Sequence, residues 1–108
     1  MTMEEQKMDE NSKFWTAMAM AQEDGFDPAR RGTVDVCQAA TDYKPGDRMC
    51  KDVYPALAKM AGRDPEDWGA IERRMRTAVR DAWRRRGLDG CPTTGQYIAS
   101  LSLRVRHA

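Results

Sequence analysis

Apolar residues along this chain return at intervals of three and four, the repeat of an amphipathic helix. No segment sustains the period-two alternation of a half-buried strand. The first ten residues are polar, charged and without period, which predicts a flexible N-terminus there and a folded domain over 11–108. Asn11 or Ser12 can cap a first helix bearing Phe14, Trp15, Met18 and Ala19, and Gly25 stops it. After the connector GFDPARRG, Thr33 is placed to cap a short second helix carrying Val34, Cys37 and Ala40. TDYKPGD reads as a loop, because Pro45-Gly46 is a strong turn signal.

A third helix is predicted after Asp47, with Cys50, Val53, Tyr54, Leu57, Ala58 and Ala61 on one face. Pro55 lies inside it and removes a backbone donor, which predicts a kink, and Gly62 can end it in the left-handed conformation. Asp64 then reads as a cap and Pro65 as the first residue of a fourth helix spanning residues 65–86. Trp68, Ile71, Met75, Ala78, Val79, Ala82 and Trp83 form its apolar stripe. Arg73, Thr77, Arg80 and Arg84 lie opposite, flanked by Glu72 and Arg76, and Gly87 ends the helix. Past the LDGCP connector, Thr93 or Thr94 caps a last helix with Tyr97, Ile98, Leu101 and Val105. The expected fold is an all-α, compact single domain of about five to six helices containing a helix-turn-helix.

Composition narrows the function. The chain has 108 residues and a net charge of +1, but the charge is unevenly spread. Residues 1–29 hold seven acids against two lysines, and residues 30–108 hold sixteen Lys/Arg against ten acids. Seven arginines fall within 71–86 beside only Glu72 and Asp81. One concentrated basic face points to a localised polyanion contact. No apolar run approaches the roughly 20 residues that span a bilayer, and the first residues carry acids where a signal peptide carries positive charge. A cytoplasmic protein is therefore expected, without membrane, cofactor or small-molecule substrate.

Enzyme chemistry finds little to build on. His107, the single histidine, sits at the C-terminal end, so neither a Ser-His-Asp nor a Cys-His set can be assembled around it. Phosphate-cradling glycine loops are absent. Cys37, Cys50 and Cys91 are isolated from one another and lack zinc-ligand spacing, so we read them as reduced, partly buried thiols. No catalytic or metal site is expected.

A helix, a glycine turn and an Arg-bearing amphipathic helix make the layout of a helix-turn-helix, whose second helix fits the major groove of B-DNA. There arginine can donate two hydrogen bonds to guanine, and a carboxylate can accept from cytosine. The stretch KDVYPALAKM followed by IERRMRTAVRDAWRRRG resembles the effector domain of the stage-zero sporulation response regulator. The features that carry the resemblance are Tyr54-Pro55, Glu72-Arg73, Arg76 and Ala82-Trp83. RRGTVDVCQAA and PTTGQYIASLSLRVRHA extend it more weakly.

The resemblance implies a six-helix domain that binds double-stranded DNA at tandem boxes and regulates sporulation genes, with Glu72, Arg73 and Arg76 as base-reading residues. Geometry adds Arg80 and Arg84 as phosphate contacts, since both project from the same exposed side. The sequence departs from the family in four ways. It contains no receiver domain, and about three extra residues within PEDWGA precede Glu72. The region after Gly87 is shorter, and the pattern opening the second helix is reduced to Gly32-Thr33-Val34-Asp35-Val36. The function expected is a stand-alone sequence-specific transcriptional regulator, with a homodimer formed through Tyr97, Leu101 and Val105 of the last helix. The alternative is a protein-interaction module of the same fold that has lost DNA and modulates a related full-length regulator.

Overall fold

The computed structural model of this chain describes residues 9–108, and the chain start read as flexible lies, up to residue 8, outside them. Five α-helices form an all-α domain, with no strand among the described residues. They are α1 (Glu10–Glu23), α2 (Arg31–Asp42), α3 (Tyr54–Met60), α4 (Gly69–Arg85) and α5 (Thr94–Arg106). A single π turn, Met49–Val53, leads into α3.

The cap of α1 lies earlier than Asn11 or Ser12. Asp9 holds it, its carboxylate accepting the Ser12 amide at 2.7 Å. The helix buries Ala17, Met18 and Ala21 with Phe14 beside them, and leaves Trp15 60% exposed. Phe14 and Trp15 are adjacent, so they cannot share one helical face, and Phe14 takes the inner one. After Gly25, which adopts φ +95°, Phe26 folds back into the core against Tyr97, ring centroids 4.8 Å apart.

Thr33 does not cap α2. It lies inside the helix, fully buried, and Arg30 precedes the first helical residue without any side-chain cap. The Asp27–Arg30 turn, closed by the Arg30 amide on the Asp27 carbonyl at 3.1 Å, starts the helix before Thr33. Gly32 then sits where α2 crosses α4, and a Cβ there would overlap the Arg74 carbonyl. Its bare backbone lets the two helices close up, and α2 packs on α1, α4 and α5 as the central element.

The kink expected at Pro55 takes the form of the π turn. The Val53 amide reaches back five residues to the Arg48 carbonyl at 3.2 Å, and the Tyr54 amide reaches Met49 in the same way. Widening the turn accommodates a ring that would otherwise clash with the preceding turn. Cys50 and Ala61, expected on the apolar face, are exposed, whereas Val53, Tyr54, Leu57 and Ala58 are buried. Gly62 ends α3 at φ +76°, and the Arg63 amide returns to the Ala58 carbonyl at 2.9 Å.

Asp64-Pro65 does not start α4. The Asp64 carboxylate accepts the Glu66 amide and its carbonyl accepts the Asp67 amide, both at 2.9 Å, which closes a separate turn. The helix runs 69–85 instead of 65–86, and residues 61–68 connect it to α3. That connection is longer than the turn of about three or four residues in a helix-turn-helix. Ile71, Met75, Ala78, Val79 and Ala82 are buried along α4, with Trp68 and Trp83 packed at the core's edge. Thr93 caps α5 in a reciprocal pair with Gln96. Tyr97, Ile98, Leu101 and Val105 are buried in this chain's own core, so the dimer contact expected from Tyr97, Leu101 and Val105 is not available to a second copy. Cys37 is buried, while Cys50 and Cys91 are exposed rather than partly buried, and all three are free.

Candidate nucleic-acid interface

Because α4 turns about 100° per residue, its arginines fall into two sets according to their distance from the apolar stripe. Arg74, Arg85 and Arg86 flank the stripe and are tied to the body of the domain. Arg74 pairs with Asp35 of α2 at 2.5 Å, and Arg85 donates to the Gly25 carbonyl at 2.8 Å. Arg86 lies 3.7 Å from Asp24, a carboxylate that also accepts the Tyr97 hydroxyl and the Arg104 guanidinium, each at 2.6 Å. Asp81, on the same flank, is held by Arg30. These contacts fix α4 against the end of α1 and the start of α2.

Arg73, Arg76, Thr77, Arg80 and Arg84 are exposed and, unlike the equally exposed Arg85 and Arg86, make no contact with α1, α2 or the turn between them. From Arg73 to Arg84 the row extends about 16 Å, three helical turns. Arg73 and Arg80 have no carboxylate within ion-pair distance among the described residues. Arg84 lies 3.5 Å from Asp81 with its side chain 80% exposed, a surface pair of little energetic weight. The guanidinium groups of these arginines, five donors each and no acceptor, make the row a cationic edge. The expected phosphate contacts Arg80 and Arg84 and the expected base reader Arg73 thus share one outward face.

Glu72 and Arg76 stand apart from it. Glu72 is half-buried on the flank of α4 and pairs with Arg76 at 3.7 Å. Its charge also reaches Tyr54, whose phenol is pushed up to about 12 by burial first, then by Glu72 and by Cys50. The two residues line a groove of about 790 Å³ between the π turn, the first half of α4 and the Cys91–Gly95 segment. The PEDWGA residues before Glu72 form the end of the connection and the first turn of α4, where Asp67 is matched by Arg63 at 3.3 Å and Glu66 is exposed.

Sequence reasoning missed two features. The division of the arginines is legible in part, because 74 and 85 lie nearer the apolar stripe on a helical wheel than 73, 80 or 84 do. The groove has no such signal, since its walls come from three separate parts of the chain. Among the described residues, no group of three His, Cys, Asp or Glu is placed to hold a metal ion, and no helix is long and apolar enough to cross a membrane. No family model, curated protein or solved structure matches this chain.

Proposed function

We propose that this domain binds double-stranded DNA sequence-specifically as a transcriptional regulator, with α4 in the major groove and α3 as the supporting helix of a helix-turn-helix whose turn is lengthened to residues 61–68. The observation that carries the reading is the outward row Arg73, Arg80 and Arg84, unengaged by α1 or α2, whereas Arg74, Arg85 and Arg86 are tied to the body of the domain. A major groove about 12 Å wide admits one helix, and a row of cations along it meets phosphates on the rim and base edges at the floor. Arg73 and Arg76, nearest the N-terminus of α4, are the base readers in this reading, with Glu72 beside them as an acceptor for cytosine. Arg80 and Arg84 clamp phosphates. The likeness of KDVYPALAKM and IERRMRTAVRDAWRRRG to the sporulation regulator's effector domain supports the same assignment.

A second reading, a protein-interaction module of the same fold, is favoured by Glu66 and Asp67 at the entry to α4, where a phosphate would otherwise approach the helix N-terminus. Fluorescence-anisotropy titration separates the two. Tandem boxes of the sporulation regulator's type should bind more tightly than scrambled duplex, with affinity falling steeply as salt rises. No binding to either duplex at low salt would overturn the DNA reading in favour of the interaction module.

A further inference from the structure

The groove beside α4 is built for something smaller than a duplex. One wall is apolar: the half-buried Trp68 and Met49 form its surface, and Tyr54, its ring centroid 5.3 Å from that of Trp68, backs them from the core. The opposite end is the N-terminus of α5, a helix of 13 residues. Its cap is spent on Gln96, whose amide reaches the Thr93 hydroxyl at 3.1 Å, and the first backbone bond is made by the Tyr97 amide. The Thr94 and Gly95 amides therefore keep their donors, as the first residues of a helix do. Thr94 supplies a second, independent mark. It is only 5% exposed, lines the groove, and its Oγ1 has no hydrogen-bond partner. A buried hydroxyl left unmatched costs free energy that a ligand oxygen would recover. Gly95 is bare where a Cβ would strike Met49 at 2.8 Å, which keeps the thioether close over the helix end.

Charge settles which kind of ligand suits this end. Glu72 is matched by Arg76, which leaves the Arg80 guanidinium as surplus positive charge on the lining. Positive charge, free amides at a helix N-terminus and a spare hydroxyl all select an anionic group. The aromatic wall selects a flat apolar body attached to it, and the volume is that of a small-molecule site. We propose that this groove binds a small organic anion, an aromatic carboxylate in chemical class. Its head sits at Thr94 and Gly95 with Arg76 and Arg80, and its ring lies on Trp68 and Met49. A ligand there draws Arg76 and Arg80 away from nucleic acid, a consequence that rests on the DNA reading, whereas the site itself does not.

Amide-resolved NMR of the full chain tests the site without any DNA. β-Naphthoate is the probe, and β-naphthylmethanol, which has the same ring and no charge, is the control. The naphthoate should shift the Thr94 and Gly95 amides and the Trp68 indole together, saturating with Kd on the order of 1 mM or tighter, and the alcohol should bind at least about tenfold more weakly. Thr94→Val should lower naphthoate affinity roughly three- to tenfold while leaving the domain as stable or more so, since it deletes an unmatched hydroxyl. Shifts that are absent, equal for both probes, or unchanged by Thr94→Val would overturn the site. Duplex binding without a naphthoate response removes this inference alone. A naphthoate response in a protein that binds no duplex removes the DNA reading and leaves the site standing.

Discussion

On the inner side of α4, Arg74, Arg85 and Arg86 reach Asp35, the Gly25 carbonyl and Asp24, and each side chain is anchored to another part of the fold. On the outer side, Arg73, Arg80 and Arg84 extend from the same helix with nothing of α1 or α2 to hold. One residue type therefore does two jobs within about five turns of helix, and position relative to the apolar stripe decides which. A count of arginines overstates the polyanion-binding surface by the number that are pinned. The pinned ones matter to binding only indirectly, because they fix the axis along which the outer row points.

Alkaline pH should separate the two sides most strongly. The core against which α4 packs contains Cys37, whose thiol is pushed up from 9.0 to about 12 by burial. Tyr54 is raised from 10.0 to about 12, and Tyr97 is raised by burial and by its bond to the Asp24 carboxylate. All three hold their protons more tightly folded than unfolded. Their contribution to stability is therefore complete below about pH 9 and is lost progressively as pH rises through the range where only the unfolded chain ionises. Urea midpoints should fall steadily from pH 9 upward. A flat stability profile to pH 11 would contradict the buried placement of these groups.

Ile71→Ala comes next. It removes a fully buried side chain from the inner face and should cost about 2–5 kcal/mol in thermal or urea unfolding, with DNA affinity per folded molecule unchanged. Arg74→Ala should cost about 1–3 kcal/mol, because Asp35 is left partly buried without its partner, and should leave the salt dependence of DNA binding as it was. A large change in that salt dependence would collapse the distinction between the two sides. The smallest stability effect is expected at Arg73→Ala, within about 0.5 kcal/mol. Its effect belongs to recognition, a loss of roughly 1–3 kcal/mol of discrimination at one base position in competition binding.

The helices differ in how far their sequence alone specifies them. In α4 and α5 the apolar period, the stop at Gly87 and a threonine cap at 93 or 94 all point the same way, and the core positions follow directly. In the segment from Asp47 to Trp68 the local signals conflict. Asp64-Pro65 has the chemistry of a helix start and equally that of a turn, and the turn wins because both the carboxylate and the carbonyl of Asp64 find amides at 2.9 Å. Thr33 following Gly32 has the pattern of a cap, yet Gly32 is needed inside α2 for its approach to Arg74. The outer face of α4 could be read from spacing alone. The groove could not, because Tyr54, Trp68 and Thr94 meet only through tertiary packing.

The role of the outer face is best measured as a salt slope. Affinity for duplex DNA would be titrated across a range of salt for the wild-type chain and for the variant Arg73→Ala, Arg80→Ala, Arg84→Ala, with thermal unfolding of both as the check on folding. If Arg80 and Arg84 neutralise phosphates and displace counterions, the slope of log affinity against log salt should fall by about two units in the variant, with an unchanged melting temperature. An unchanged slope in a folded variant would contradict α4 as the DNA-binding element.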